Sequence, residues 1–390
     1  MAALLSLEDA QSRVLDLVDP RPVITLPVDR CIGRYLAEDL RANRTQPPAD
    51  LSAMDGYALN GDGPWQLVGE SRAGHPFAEP VGAGECVRIS TGASMPEGAD
   101  RVLIQENAEV EGGLVKCTHD HPDRGKHVRR RGFDFAKGDL VLKAGVRIGP
   151  AQLALAIGSG HAKLPVMQPL RVGVLDSGDE LSANPEDCGP DQIPASNGAM
   201  ISAMLAELGC EIVRIGPVGD DPDALAEALA TADGLDMLVT SGGASVGDHD
   251  LMRPALENWG AHIDFWKVAI KPGKPLMVAR REKTVIFGLP GNPVSSFVTC
   301  LLFVMPYARA AMGAAAPMPF RAVAKLGCDL APTGSRREFL RGYWDGTTVV
   351  TSDSQDSSAL ATLAASNCLI DRPAESTALA TGSRVECILL

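Results

Sequence analysis

The spacing of hydrophobic positions changes several times along the chain. From Ser6 to Val18 it is helical, with Leu7, Ala10, Val14, Leu15 and Val18 on a stripe and Ser6 placed to cap. Pro20, Pro22 and Pro27 end that helix in an extended connection, and the mixed stretch Ile32 to Leu40 reads as a second helix. After Thr45-Gln-Pro-Pro-Ala-Asp-Leu-Ser52 the pattern turns to short alternating runs, Tyr57–Leu59, Trp65–Val68, Cys86–Ile89, Val102–Ile104 and Leu114–Cys117, with glycine and proline turns between them. These predict a small β unit. From Ala136 to Gln168 a strand at Asp139–Leu142 and a helix opened by Pro150 return.

From Leu170 onward, strands and helices alternate. Strands are predicted at Val172–Leu175, Ile212–Ile215, Asp236–Thr240, Pro275–Val278 and Thr284–Phe287. Helices are predicted at Ser196–Leu208, capped by Ser196 or Asn197, at Asp220–Ala230, at Leu251–Asn258, and over a long apolar stretch from Asn292 to about Met312. Strand–helix alternation of this kind predicts a parallel, doubly wound sheet. Gly313–Pro319 is a linker, and Phe320–Leu390 returns to short strands. The expected division is an elongated discontinuous helical unit at 1–46 and 136–168, an inserted β unit at 47–135, an α/β unit at 169–313 and a C-terminal β unit at 318–390.

Composition narrows the function classes. The chain has 390 residues, 45% apolar but only 4% aromatic, so its cores are aliphatic and more than one domain is expected. A net charge of −13 disfavours nucleic acid and anionic membranes as partners. Nine cysteines without a C-x-x-C pair suggest neither a disulfide framework nor a zinc site. The first residues lack a basic signal-peptide region, and the apolar run Phe297–Tyr307 is shorter than the ~20 residues of a membrane span. A soluble, cytoplasmic protein is expected.

Candidate chemistry collects at predicted strand ends. Thr240-Ser-Gly-Gly-Ala-Ser-Val-Gly-Asp-His-Asp250 follows a strand and precedes a helix, which is where open α/β sheets build ligand sites. Gly242 and Gly243 let backbone approach a ligand, Ser241 and Ser245 offer hydroxyls, and Asp248 and Asp250 offer carboxylates suited to a hard cation. An ordinary turn with an aspartate N-cap explains the same residues more blandly. Asp176-Ser-Gly-Asp-Glu-Leu181 and Gly288-Leu-Pro-Gly-Asn-Pro293 follow two other strands, and Asp220 follows a third. Lys267, Lys271 and Lys274 surround a Pro-Gly turn and read as an anion clamp or as a solvated hairpin. The arginine run in His127-Val-Arg-Arg-Arg-Gly-Phe-Asp134 lacks aromatic interleaving, so an oxyanion contact or a solvated turn is favoured over a nucleic-acid patch. No G-x-S-x-G or H-E-x-x-H motif occurs.

Taken together, Ser52-Ala-Met-Asp-Gly-Tyr-Ala58, Ser90-Thr-Gly-Ala93, Arg131-Gly-Phe-Asp134, Gly178-Asp-Glu-Leu181, Ser241–Gly247, Lys271-Pro-Gly-Lys-Pro275, Gly288–Val294 and Arg341-Gly342 resemble the molybdopterin molybdenumtransferase family, which is related to the E domain of gephyrin. The resemblance runs across nearly the whole chain in family order. It implies a multidomain α/β plus β protein: a three-layer α/β molybdopterin-binding domain, a discontinuous elongated N-terminal domain, an inserted β domain and a C-terminal β-barrel-like domain. It implies a homodimer whose cleft joins the α/β domain of one chain to the insert of the other. The implied reaction uses adenylylated molybdopterin and molybdate with Mg²⁺, and it releases AMP. A molybdopterin adenylyltransferase and apo-molybdoenzymes are the implied protein partners.

Matched position by position, the resemblance assigns catalytic roles to Asp55, Asp134, Glu180 and Asp250, with Glu180, Asp220 and Asp250 suited to the cation. Substrate contacts fall to Thr91, Arg129, Asp220, Ser241, Gly242, Gly243, Ser245, Asp248, Lys267, Lys271, Lys274, Pro290, Pro293, Arg341 and Ser357. The chain departs from the family pattern at Ser177, Ala195, Ala244 and Asp356, and Asp356 adds a negative charge beside an expected anion site. Two other readings are a gephyrin-like binding scaffold without catalysis and the adenylyltransferase that acts one step earlier. The insert and C-terminal units argue against the latter.

Overall fold

A computed structural model describes residues 4–242 and 251–390. The N-terminal helix runs Leu7–Asp16, with Ser6 Oγ accepting from the Asp9 N–H at 3.0 Å. Leu7, Ala10 and Val14 are buried in a core shared with the central sheet and the long apolar helix. Gln11 Nε2 reaches across to the Leu302 carbonyl at 2.9 Å. Beyond it, Val23–Pro27 pairs antiparallel with Lys163–Met167, and Leu40–Arg41 pairs with Leu140–Leu142. Cys31, Leu36, Ile148, Ala156 and Leu164 close a separate small core between them.

Ile32–Leu40 is not a helix. Gly33 takes φ +81°, and Tyr35 and Leu36 form bridges to Arg147 and Val166. The backbone groups that a helix would have satisfied internally are used by distant strands instead.

The inserted sheet has six strands in the order Arg101–Ile104, Gly56–Leu59, Glu85–Ile89, Trp65–Ser71, Leu114–Cys117 and Ala108–Glu111. All five runs predicted from alternation are strands, and Ala108–Glu111 adds a hairpin partner. The C-terminal sheet closes on itself. Arg337–Trp344 pairs with both Thr348–Thr351 and Cys368–Arg372, and Arg321–Leu326 and Arg384–Leu389 complete a five-stranded barrel. Ile270–Lys271, from the lysine turn, pairs in parallel with Arg337–Glu338 at the start of one barrel strand.

The central sheet runs Glu211–Val218, Arg171–Ser177, Met237–Ser241, Thr284–Leu289, Met277–Arg281, His262–Trp266. The first four strands are parallel, as expected. The last two join by antiparallel pairing, with Met277–Arg281 running against the other five strands, so the sheet is mixed rather than wholly parallel. The cause is connection length. Only Glu282 and Lys283 separate Arg281 from Thr284, and a parallel crossover needs a dozen residues or more. Glu282 takes φ +51° to make the tight reversal.

The long helix spans Pro293–Ala311, interrupted by a π turn at Cys300–Val304. At 19 residues it is long and apolar enough to cross a membrane, yet 83% of its most apolar stretch is buried inside the protein. It is the helix around which the central core packs. The helix predicted at Ser196–Leu208 runs Ser196–Ala206 without a side-chain cap, and neither Ser196 nor Asn197 serves that role.

Close packing fixes a few glycines. A Cβ on Gly56 would lie 2.0 Å from the Leu103 carbonyl oxygen across the inserted sheet. Gly56→Ala is expected to destabilise the protein by about 2–4 kcal/mol, measured by urea unfolding followed through tryptophan fluorescence. A wild-type transition midpoint would show that the strands part at no cost.

Candidate functional site

Register brings three strand ends level. Leu175, Thr240 and Gly288 lie abreast, and one residue on so do Asp176, Ser241 and Leu289. The chain then turns at Gly178, Gly242 and Pro290. Gly242 has φ +95°, and a Cβ there would sit 2.4 Å from the Ser177 carbonyl oxygen, so only glycine fits. Above these ends opens a cavity of about 850 Å³. Its polar lining includes Asp176, Ser177, Glu180, Asn197, Asp220 and Ser241, and Leu181, Ile193, Pro275 and Leu360 give it apolar walls.

Asn197 ties the floor together. Its Nδ2 donates to Ser241 Oγ at 2.9 Å and to the Gly291 carbonyl at 2.6 Å. That work across the sheet is why it does not cap its own helix. Asp176 is buried at the end of its strand, and Arg214 Nη2 donates to its Oδ2 at 2.7 Å. Gly198 makes room for the pair: a Cβ there would meet the Asp176 carboxylate at 2.1 Å and Arg214 at 2.3 Å. Burial pushes the Asp176 carboxyl above the usual aspartate range, against the pull of Arg214. Its Oδ1 is buried without a partner among the described residues.

Asp220 and Asp221 divide their labour. Asp221 is the N-cap, its Oδ1 accepting from the Asp223 N–H at 3.1 Å and from the Ala224 N–H at 2.8 Å. Asp220 is left to line the cavity, its N–H donating to Asp179 Oδ1 at 2.8 Å. Desolvation, then the nearby charge of Asp179 and that of Glu180, push its carboxyl upward.

Of the residues singled out from sequence, Glu180, Asp220, Ser241, Gly242, Pro290 and Pro293 line this cavity. Gly243, Ser245, Asp248 and Asp250 lie outside the described residues. The lysine turn contributes Pro275 to the lining, while the lysines stand back from it. Lys271 Nζ pairs with Glu338 at 3.1 Å, and Lys267 Nζ lies 4.8 Å from the centre of the Trp266 ring. Lys274 is exposed.

Arg341 is 1% exposed and holds a loop: it donates to the Ser354 carbonyl at 2.9 Å and to the Ala359 carbonyl at 3.2 Å. Its burial lowers the guanidinium pKa. Ser357, on that loop, accepts from Asn292 Nδ2 at 2.9 Å. Its carbonyl accepts from the Val294 N–H at 3.0 Å, and Ser358 reaches the cavity wall. Asp356 turns onto Ser358, accepting from its hydroxyl at 2.6 Å and its N–H at 2.8 Å, bonds that hold its carboxyl low.

Asp55, Thr91, Arg129 and Asp134 sit on the inserted unit, exposed, and none lines the cavity of the same chain. The Thr91 N–H donates to Asp55 Oδ1 at 2.6 Å, which holds that carboxyl low. Three polar contributors were not selected from sequence, Asp176, Ser177 and Asn197. Each is visible only as a polar residue at a predicted strand end or first helical turn.

Comparison with known proteins covers most of the chain. Family models match in order: the MoeA N-terminal region (domain I and II) at residues 5–160, a probable molybdopterin binding domain at 173–310, and the MoeA C-terminal region (domain IV) at 323–390. A molybdopterin molybdenumtransferase of Haemophilus influenzae is 36% identical, over 87% of this chain and 86% of its own length. The chain belongs to the molybdopterin molybdenumtransferase family. A second relative, molybdopterin molybdenumtransferase 2 of Mycobacterium tuberculosis, is 33% identical over 98% of each chain. The crystal structure of the molybdopterin biosynthesis MoeA protein of Pyrococcus horikoshii OT3 superposes with a TM-score of 0.86 at 26% identity, covering both chains fully.

The charge on Asp220 carries a sign that can be checked. A carboxyl whose folded pKa lies above the ordinary 3.8 costs stability when ionised, and that cost disappears as pH falls through the raised value to 3.8. Asp220→Asn is therefore expected to raise the melting temperature slightly at pH 7.5, by the order of 1 °C, with the gain vanishing below pH 4. A variant less stable than wild type at neutral pH would show that Asp220 holds the fold together.

Proposed function

We propose that this chain inserts molybdenum into its cofactor. Molybdate and adenylylated molybdopterin enter, water cleaves the phosphoanhydride to release AMP and leave the pterin phosphate, and the two dithiolene thiols bind molybdenum in place of one molybdate oxygen, which leaves as water with their protons. The observation that carries the reading is the cavity at three level strand ends, in a chain matched end to end by molybdopterin molybdenumtransferases. Its volume is of nucleotide scale. The walls of Leu181, Ile193, Pro275 and Leu360 offer faces to a flat pterin, and Asp220 offers an acceptor to pterin N–H donors. Ser177 and Ser241 lie where phosphate oxygens need donors, and Glu180 is exposed and free to orient water. Asp250 joins these carboxylates in the proposal. Lys267, Lys271 and Lys274 supply positive charge for the oxyanion, and Arg341 acts through the loop that presents Ser357.

Magnesium fits this donor set. Glu180 and Asp220 are hard oxygen donors on one cavity; desolvation, then the charges of Asp179 and Glu180, push Asp220 up, and a divalent cation relieves the part due to charge. Among the described residues no three metal-binding side chains are grouped, which suits an ion that takes one or two carboxylates and completes its shell with substrate phosphates. When bound it supplies neutralisation of the phosphate charge.

We further propose a homodimer in which the insert of one chain closes the cavity of the other. The exposed acids of the insert, and Phe133 beside Asp134 at 76% exposure, support a face that a second chain covers. The nine free thiols suit the reducing cytoplasm. An adenylyltransferase supplies the pterin nucleotide, and apo-molybdoenzymes take up the product.

The test is reconstitution. Purified protein is mixed with adenylylated molybdopterin, molybdate and Mg²⁺, and AMP release and activation of an apo-molybdoenzyme are followed together. Both are expected, with turnover about a hundredfold lower in Glu180→Gln. Pterin binding without AMP release under any cation sinks the transferase reading and leaves a binding scaffold.

Mixed dimers test the shared cleft. Asp55→Asn and Glu180→Gln chains, each inactive alone, are co-expressed. If the site is shared, random assortment restores about a quarter of wild-type activity, because half the dimers are mixed and each carries one intact cleft. No recovery means that each chain completes its own site.

A further inference from the structure

The cleft accounts for one cavity. A second, of about 410 Å³, opens at the C-terminal barrel and shares no lining residue with the first. Strand residues Arg337, Asp371, Arg372, Arg384 and Glu386 wall it, together with the loop after Arg372. That loop is pinned. The Ser376 N–H donates to Thr333 Oγ1 at 2.8 Å, Thr333 Oγ1 donates to the Pro373 carbonyl at 2.7 Å, and the Glu375 N–H donates to the Gly334 carbonyl at 2.8 Å.

Arg372 is the unusual member. It alternates with Cys368 and Ile370 on the barrel's inward face and is 1% exposed. A guanidinium keeps its charge at any physiological pH. Its Nη2 donates to the Thr377 carbonyl at 2.7 Å, while Nε and Nη1 are buried with no partner among the described residues. The carboxylates of the lining are already committed. Arg337 holds Asp371 through both oxygens, at 2.6 and 2.8 Å, and Arg321 pairs with the same group. Glu386 pairs with Arg321 at 3.1 Å. Arg384, exposed at the rim, has no side-chain partner among the described residues. Glu8 pairs with Arg337 as well, so four guanidiniums meet three carboxylates here and one positive charge is left over, in a chain whose net charge is −13.

Unmet donors on a buried cation are costly. Water satisfies donors but leaves the charge uncompensated, whereas an anion answers both. We propose that this cavity binds a phosphate-type oxyanion, free or as the head of a phosphate monoester, with Arg372 as its inner contact and Arg384 as its rim contact. The chemistry is that of charge-assisted hydrogen bonds to a dianion.

Calorimetric titration of the full chain at fixed ionic strength tests this, with inorganic phosphate in one arm and glycerol 3-phosphate in the other. One anion per chain is expected, with affinity reduced about tenfold or more in Arg384→Gln and abolished in Arg372→Met. Tighter binding of the monoester identifies a phosphorylated metabolite as the source; equal or weaker binding identifies free phosphate. No heat in either arm up to about 10 mM overturns the proposal and leaves water as the partner of Arg372. Binding undiminished in both variants overturns it too, because the anion then sits in the cleft. If Arg372→Met does not fold, Arg384→Gln alone decides.

Discussion

Three parallel strands that stop at one level are the constraint on which the cleft depends. The register Asp176, Ser241, Leu289 is a consequence of hydrogen bonding along the strands, and it holds only while crossovers return each chain to the same end of the sheet. With the ends level, backbones crowd. Gly242 passes so near the Ser177 carbonyl that a methyl group has no room, and Asn197 bonds two of the strand ends through one amide. The floor is rigid before any ligand arrives, so a ligand bound there is spared the cost of ordering it.

On this rigid floor the electrostatics run against stability. Asp220 is held near Asp179 and Glu180, and Asp176 is buried with only one oxygen paired among the described residues. Each arrangement favours the neutral acid and penalises the charged one. An ordinary surface would separate these groups. Their retention around one cavity is expected where a cation or a donor-rich ligand relieves the repulsion. Acids elsewhere behave differently: Asp50, Asp55, Asp345 and Asp356 accept backbone or side-chain donors that hold them low.

Much of the fold was legible from period alone. The alternating runs in the insert became strands, Trp65–Ser71 burying one face and the central Gly56–Leu59 buried throughout, and the helix at Leu7–Asp16 follows from its stripe and its serine cap. Readings failed where a distant partner outweighed local pattern. Ile32–Leu40 has mixed polarity, but Tyr35 and Leu36 bridge to residues more than a hundred positions away. The strand at Met277–Arg281 was visible as a strand, and its direction was readable only from the two-residue turn behind it. The site shows the same division. Glu180 and Asp220 were found because they follow strands, whereas Asp176 matters through register and the space left by the distant Gly198, and Asn197 through bonds to two other strand ends, none of which shows in the sequence around either.

The C-terminal barrel then acquires a mechanical role. It annexes Ile270–Lys271 as an extra strand beside Arg337–Glu338, and Glu338 pairs with Lys271. It also presents the loop that Arg341 holds, from which Ser357 binds both the Asn292 side chain and the Val294 N–H at the start of the long helix. The lysine turn and the Pro290–Pro293 turn, which belong to the central unit by sequence, are thus both anchored by the barrel. Their separation across the cavity is set by a closed sheet with no free edge to slip. A polar loop rich in glycine and proline cannot fix such a distance by itself, because its own backbone bonds are too few. Burial of Arg341 is the cost of that anchoring, and it is tolerated because the guanidinium's bonds to the Ser354 and Ala359 carbonyls are what hold the loop against the helix.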